Sequence, residues 1–512
     1  MTSVPHLDGP APHDSTTPDP TTRAWPWLLV AAALAAFRAL PFVVWGTLAF
    51  DADQAVVGLM AKHIADLRAL PVYQYALPYV LMVTAYAAAP FMWVFGPTAS
   101  ALKVPLLLAN VGVGVAVVHA MIRARVRPGV ALLLALPVLL PSAVSNAGLM
   151  DALGMTVEPA AFVLGLWYAR RSPLVFGVVA AVGFHVREFV AYGVAALLVI
   201  DVVSGRWPTH EGRRHWSFAA LSALGVTAIL AGLARLASYR GPGTWLDSGG
   251  DSNLSTLGAA FCFAPRQAWR NVQELGVSYL GLLWGASPMA LADAAVQSHV
   301  SQGLGGAWPV LAAVLMVAVA HLAWRWRDLW RLRRDPALQL AAFLVLVGAQ
   351  SVLVYAVSRC GPLSVLTIRY ALLGIFLPTG LALGVWVTRP SLPLRQVIAA
   401  TFVALAALNA WPHVRLWQEQ MRQPAVSNRA QLGAAMEARG LRYARSDYWT
   451  AYYVAFMTRE RVIVGADTLP RIALYEQILS QHRAEVVRIA TRPCDSSPPI
   501  VPGYYVCRDD AP

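Results

Sequence analysis

Ala49-Phe50-Asp51-Ala52-Asp53-Gln54-Ala55-Val56-Val57-Gly58-Leu59-Met60 follows directly on the first membrane-length apolar run, residues 25–49. That run is long enough to cross a bilayer, which takes about 20 apolar residues. Two carboxylates at the exit of such a segment are costly to keep near lipid and mark a functional site by default. Working outward, the 512-residue chain is 57% hydrophobic and only 13% charged. A typical soluble domain is about 25% charged. The composition predicts a mainly α fold, a polytopic membrane helix bundle.

Ten further candidate spans fall near 99–121, 129–145, 155–170, 173–186, 189–203, 217–236, 308–324, 337–357, 370–387 and 396–411, about eleven in all. The formal net charge of +13 would suit a nucleic-acid partner, but the arginines cluster between apolar runs. Arg123, Arg125 and Arg127 follow the second span, Arg170 and Arg171 the fourth, and Arg206, Arg213 and Arg214 the sixth. Arg325, Arg327, Arg331, Arg333 and Arg334 follow the eighth, and Arg389 and Arg395 the tenth. This is the positive-inside pattern of a multi-pass plasma-membrane protein and argues for no nucleic acid. It predicts a cytoplasmic N-terminus and an extracytoplasmic C-terminus.

Residues 1–22, rich in Pro, Thr, Asp and Ser, read as a disordered cytoplasmic tail. Residues 23–411 form the transmembrane domain, with outer loops at 50–98 and 237–307. A boundary near Trp411-Pro412 opens a small extracytoplasmic α/β domain, 412–512, with a helix over Ser427–Arg439 closed by Gly440. Arg442–Ser446, Arg461–Gly465, Glu485–Ala490 and Tyr504–Arg508 read as short strands. Cys262, Cys360, Cys494 and Cys507 all fall on the outer side, where disulfides persist. Cys494–Cys507 could close one loop and Cys262–Cys360 could staple two, although buried free thiols fit the same positions. No CxxC, HExxH or zinc-ligand spacing occurs.

The stretch Phe50-Asp51-Ala52-Asp53-Gln54-Ala55-Val56-Val57-Gly58-Leu59-Met60-Ala61-Lys62-His63-Ile64, then Leu70-Pro71-Val72-Tyr73-Gln74-Tyr75, resembles the C-superfamily (GT-C) glycosyltransferases. Within them it is most similar to the protein O-mannosyltransferase and lipid A aminoarabinose transferase group. Phe95-Gly96-Pro97-Thr98-Ala99-Ser100-Ala101-Leu102-Lys103-Val104-Pro105 resembles the family's start of the second span, and Arg369-Tyr370 resembles its recurrent Arg-Tyr. The likeness covers residues 25–411 as topology and is specific only over 50–105 and at Arg369-Tyr370. It departs in the first loop: relatives often carry Tyr-Gly-Lys-Pro-Pro, whose lysine meets the donor phosphate, whereas this chain reads Tyr75-Ala76-Leu77-Pro78-Tyr79.

The resemblance implies an inverting glycosyltransferase. It would move a sugar from a polyprenyl-phosphate donor to an envelope glycan, lipid or protein acceptor on the outer face, with membrane lipid around it. Asp53 takes the place of the catalytic aspartate, with Asp51 beside it. Either could instead cap the helix that begins there. Such a reaction needs a carboxylate to accept or orient the acceptor proton and cations to hold the leaving phosphate. Arg369 is the implied phosphate ligand, with Tyr370 beside it, and a guanidinium suits the bidentate geometry. Lys62 and Lys103 are the only lysines, and each either meets the phosphate or snorkels to the surface. Asp151 or Glu158 is the second acid, although Glu158 could simply start a helix. Arg187, in His185-Val186-Arg187-Glu188, contacts the donor or pairs with Glu188. No cofactor is certain. Asp53 with Asp151 or Glu158 could hold a divalent cation through oxygen ligands. Two other functions fit a polytopic chain. One is a transporter or lipid flippase, which leaves the long first loop and the outer domain unexplained. The other is an envelope assembly factor.

Overall fold

The structure, a computed structural model, describes residues 24–154, 156–238, 264–285, 308–424, 427–494 and 498–508. Helix α1 spans Trp25–Val44, α2 Ala52–Ala65, α3 Val83–Phe95, α4 Ala99–Arg123, α5 Pro128–Leu139 and α6 Ala143–Leu149. They are followed by α7 Val157–Ala169, α8 Pro173–Val186, α9 Ala191–Val203, α10 His210–Ser238, α11 Pro265–Glu274 and α12 Leu280–Trp284. Next come α13 Trp308–Trp324, α14 Trp326–Arg331, α15 Pro336–Val357, α16 Phe376–Val387 and α17 Leu392–Arg422. A 3-10 segment, Val365–Ile375, runs directly into α16. The tail expected over 1–22 lies outside the described residues, as does most of the expected outer loop 237–307.

Among the described residues, six helical segments are long and apolar enough to cross a bilayer. They are α1, α4, α10, α15, Thr367–Val387 and α17, and α5 with α6 makes a seventh if counted as one bent span. The expectation of eleven counted shorter runs as well. Helices α7 and α8 have 13 and 14 residues, and at 1.5 Å per residue they rise only about 20 Å. Arg170-Arg171 and then Pro173 divide one from the other. Helix α3 is an element the sequence reading placed inside an outer loop. Its 13 residues fall short of a span, yet Trp93, Val94 and Phe95 are exposed, as on a lipid-facing surface.

Between α5 and α6 the chain turns by 83°. Pro141 cannot donate a helical hydrogen bond, and Ser142 restarts the helix by accepting from the Ser145 N–H at 3.0 Å. A break inside a bundle leaves carbonyls that must be answered internally. Fully buried Arg38 of α1 does much of this, donating from Nε to Leu139 O at 3.0 Å and from Nη2 to Asn110 Oδ1 at 2.9 Å. From α17, Asn409 donates to Leu140 O at 2.9 Å and His413 to Pro141 O at 3.1 Å.

The connection between α2 and α3 holds a short antiparallel hairpin, β1 (Tyr73–Gln74) and β2 (Leu77–Leu81). After α17 come α18 (Asn428–Ala438), β3 (Tyr443–Ser446), α19 (Tyr448–Met457), β4 (Ile463–Ala466), α20 (Ala473–Gln481), β5 (Val487–Ala490) and β6 (Tyr505–Arg508). The sheet order is β4-β3-β5-β6, parallel except for β5/β6. The strands lie within two residues of where the sequence predicts them, and Ser427 caps α18 by accepting from the Ala430 N–H at 3.2 Å. The expected boundary at Trp411-Pro412 needs correction: α17 runs through Pro412 to Arg422. One missing N–H is tolerated where the preceding Asn409 side chain anchors the helix to α5 and α12. Cys494 and Cys507 form a disulfide, and Cys360 is disulfide-bonded too. Cys262 lies outside the described residues.

Candidate active site

Helix α2 follows the first candidate span, and its first turn is built by its own polar side chains. Asp51 is the N-cap, its carboxylate accepting from the Gln54 N–H at 3.0 Å. That bond answers one of the free N–H groups of a helix start. Gln54 is fully buried. Its amide donates to Ala49 O at 2.7 Å and to Asp151 Oδ1 at 3.3 Å, and accepts from the Ala152 N–H at 3.3 Å. Asp53 is thereby fixed on a rigid turn, tied to the Asp151 loop, with its own carboxylate left facing outward.

Two distant parts of the chain meet that carboxylate. Tyr448, the first residue of α19, donates its hydroxyl to Asp53 Oδ1 at 2.6 Å across 395 positions. Arg369, on the 3-10 segment, places Nη2 4.0 Å from Asp53 Oδ2, and both side chains are 23% exposed. Arg369 Nε is buried without a hydrogen-bond partner. Behind Tyr448, the Arg471 guanidinium carbon lies 5.7 Å from the phenol ring centre. Burial first, and then the Asp53 charge, push the Tyr448 hydroxyl up, so it stays a donor. The C-terminal domain thus meets the Asp53 centre through Tyr448, and the bundle meets it through Arg369.

The remaining acids and bases are distributed as follows. Burial first, and then the neighbouring Asp51, push the Asp151 carboxyl up, and Lys103 and Arg369 oppose the rise. Lys103 is fully buried, its ammonium on Leu48 O at 2.6 Å and facing Asp51 and Asp151. It serves as a buried counter-charge and has no exposed face toward a ligand. Glu158 is buried at the start of α7, accepting from the Thr84 hydroxyl and from the Thr156 N–H at 3.3 Å. Its bonds are those of a helix-terminal carboxylate. Arg187, also buried, ends α8. Two residues on, Phe189 packs edge-on against Tyr370 at 6.0 Å, which links this turn to the Arg369 segment. Tyr370 in turn lies under the Arg369 guanidinium at 5.7 Å.

Lys62 sits about two and a half turns along α2 from Asp53 and is engaged elsewhere. Its ammonium pairs with Asp66 at 2.8 Å and with Glu460 at 2.9 Å. Glu460 also accepts from His63 at 2.9 Å, Arg68 at 3.0 Å and Tyr475 at 2.9 Å. Arg459 and Glu460 lie at φ 55° and 64°, a left-handed conformation that costs non-glycine residues energy. The cluster holds that turn and clamps the C-terminal domain onto α2. Phe50 packs on Tyr453 and Phe456 at 5.6 and 5.5 Å in the same interface.

Asp53, Asp51, Asp151 and Arg369 come together, with Lys103 buried beside Asp51 and Asp151; Lys62 and Glu158 are engaged elsewhere, and Arg187 lies at the end of α8. Gln54, Tyr448, Glu460 and Arg471 are site or clamp residues that the sequence reading did not assign. The Asp-Gln pair was a signal for Gln54, and the dense aromatics of 443–453 were one for Tyr448. Among the described residues no three His, Cys, Asp or Glu side chains form a metal-ligand set.

The helical architecture is that of a polytopic membrane protein, and its fold is similar to that of solved membrane-embedded transferases. A crystal structure of an oligosaccharyltransferase from Archaeoglobus fulgidus, in the apo form, aligns with a TM-score of 0.50 at 12% identity. The alignment covers 91% of this chain and 69% of that one. ArnT from Cupriavidus metallidurans, crystallised with undecaprenyl phosphate, aligns with a TM-score of 0.47 at 12% identity over 90% of this chain and 89% of that one. No protein-family model matches the sequence, and no curated protein matches it.

Proposed function

We propose that the chain is an inverting glycosyltransferase. It takes a sugar from a polyprenyl-phosphate donor and passes it to a cell-envelope acceptor at the outer face of the plasma membrane, with the N-terminus cytoplasmic and the C-terminus outside. The observation that carries this reading is the meeting of Asp53 and Arg369, 4.0 Å apart and partly exposed. An acid from the first outer loop and a guanidinium from the start of a late span are the pair that such a transfer requires. Asp53 accepts the proton of the acceptor hydroxyl while that oxygen attacks the anomeric carbon from the face opposite the phosphate. The anomeric C–O bond breaks, its electron pair leaves on the phosphate, and Arg369 holds the developing charge. Asp51 acts through the helix start it caps, and Asp151 with Lys103 sets the local field.

The test is transfer in membranes, with mass analysis of envelope glycolipids and glycans in cells with and without the protein. Asp53→Asn is expected to lose at least a hundredfold in transfer, in the range of lost general-base catalysis of about 10²–10⁴. Full activity in that variant would remove the proposed reaction. Solute uptake without sugar transfer would favour a transporter.

A further inference from the structure

Arg471 belongs to none of the stretches that carried the sequence reading, yet its contacts tie it to the Asp53 centre. It lies in the outer domain between β4 and α20. Its backbone N–H donates to the Tyr452 hydroxyl, which fixes where the side chain starts. The guanidinium then runs beneath the Tyr448 ring at 5.7 Å, the ring whose hydroxyl holds Asp53. Nη1 reaches Ala76 O in the first-loop hairpin at 3.4 Å. Nε is buried without a hydrogen-bond partner, as is Nε of Arg369, which faces Asp53. One partly unspent guanidinium therefore faces Asp53, and a second lies against the tyrosine that holds Asp53.

The local charges lead to the same residue. Three carboxylates crowd this corner. Asp51 is answered by the Gln54 N–H at the start of α2, Asp151 faces Lys103, and Asp53 faces Arg369. A phosphate arriving here brings at least one more negative charge to a place whose nearest cation is already engaged. Neither lysine can supply the balance, because Lys62 is held by Asp66 and Glu460 and Lys103 is buried on Leu48 O. We propose that Arg471 is a second phosphate-binding cation of this site, so that the headgroup is gripped between a guanidinium of the bundle and one of the outer domain. This inference rests on the lipid-phosphate reading above. It makes the docked outer domain part of the donor site, and it supplies the cation missing from Tyr75–Tyr79.

The experiment compares binding of a polyprenyl monophosphate with binding of the polyprenol of equal chain length, using the full chain in nanodiscs and native mass spectrometry. The wild type prefers the phosphate. Arg471→Gln is expected to cut that preference by about 10- to 100-fold, the range of one charge-assisted contact, and to leave polyprenol binding unchanged. Arg471→Lys falls between, keeping the charge and losing the fork. A purely structural brace would weaken both ligands alike and leave the preference intact, which overturns the inference. In the wild type, polyprenyl phosphate but not polyprenol should protect Arg471 from a dicarbonyl reagent, and equal labelling with both overturns it even if Arg471→Gln does not fold. If Arg369→Gln loses the preference and Arg471→Gln keeps it, only this inference fails. If the wild type shows no preference for the phosphate, the donor reading fails with it.

Discussion

Glu460→Gln removes one charge from the contact that docks the outer domain and changes little else in shape. Glu460 is 7% exposed and accepts four bonds, from Lys62, His63, Arg68 and Tyr475, all at 2.9–3.0 Å. Hydrogen bonds to a charged group contribute about 1.5–3 kcal/mol each. Arg68 is 45% exposed and counts for little, and Lys62 keeps Asp66. The amide still serves one of the two buried partners. Docking should therefore weaken by about 2–3 kcal/mol, a roughly 30- to 150-fold rise in the open population. Hydrogen exchange in nanodiscs reads this directly: α2 and Tyr448–Met457 should exchange faster while α4 stays protected. Unchanged exchange in α2 and α19 would refute the clamp.

The same cluster fixes the direction of the pH response. Burial alone would raise the Glu460 carboxyl, but the hydrogen bonds and charges of His63 and then Lys62 outweigh it and hold it well below its ordinary 4.5. Burial lowers His63 from its ordinary 6.5, against the pull of Glu460. Both groups are depressed in the folded state, so each stabilises docking above its ordinary value and loses that contribution as pH falls. Wild-type exchange in α2 should accelerate on acidification from about pH 6.5 downward, and Glu460→Gln should flatten the more acidic part of that rise. An acid-insensitive wild type would contradict the assignment.

Two other substitutions separate structure from chemistry. Lys103→Met leaves Asp51 and Asp151 without their buried counter-charge and should lower stability by about 3–5 kcal/mol, read as a melting shift in detergent. Adding Asp151→Asn should restore part of it, and strict additivity of the two losses would refute the pairing. Tyr448→Phe removes the hydroxyl bound to Asp53 and should reduce kcat about tenfold with the donor KM unchanged. An unaltered kcat would remove Tyr448 from the site.

The bundle and the outer sheet were legible because both follow from local pattern. Apolar runs, arginine placement and the Ser427 cap needed no knowledge of distant residues. Asp53 stood out because a carboxylate at a helix exit is costly anywhere. The cations were harder. Lys62 and Lys103 were attractive as the only lysines, but whether a cation is spent depends on its partner, and Glu460 lies 398 positions from Lys62. Tyr448 and Arg471 become site residues only through the docking of the outer domain on α2, which no periodicity encodes. The span count was less legible, because arginine and proline divide one stretch of apolar sequence into helices of 13 and 14 residues.

The central claim is spatial, and a structure of the full chain in nanodiscs with a polyprenyl monophosphate bound tests it most directly. The account predicts phosphate density in contact with the Arg369 guanidinium, beside Asp53, with the lipid tail leaving sideways into the bilayer. A headgroup bound on another side of the bundle, with Asp53 and Arg369 still paired to each other alone, would contradict it.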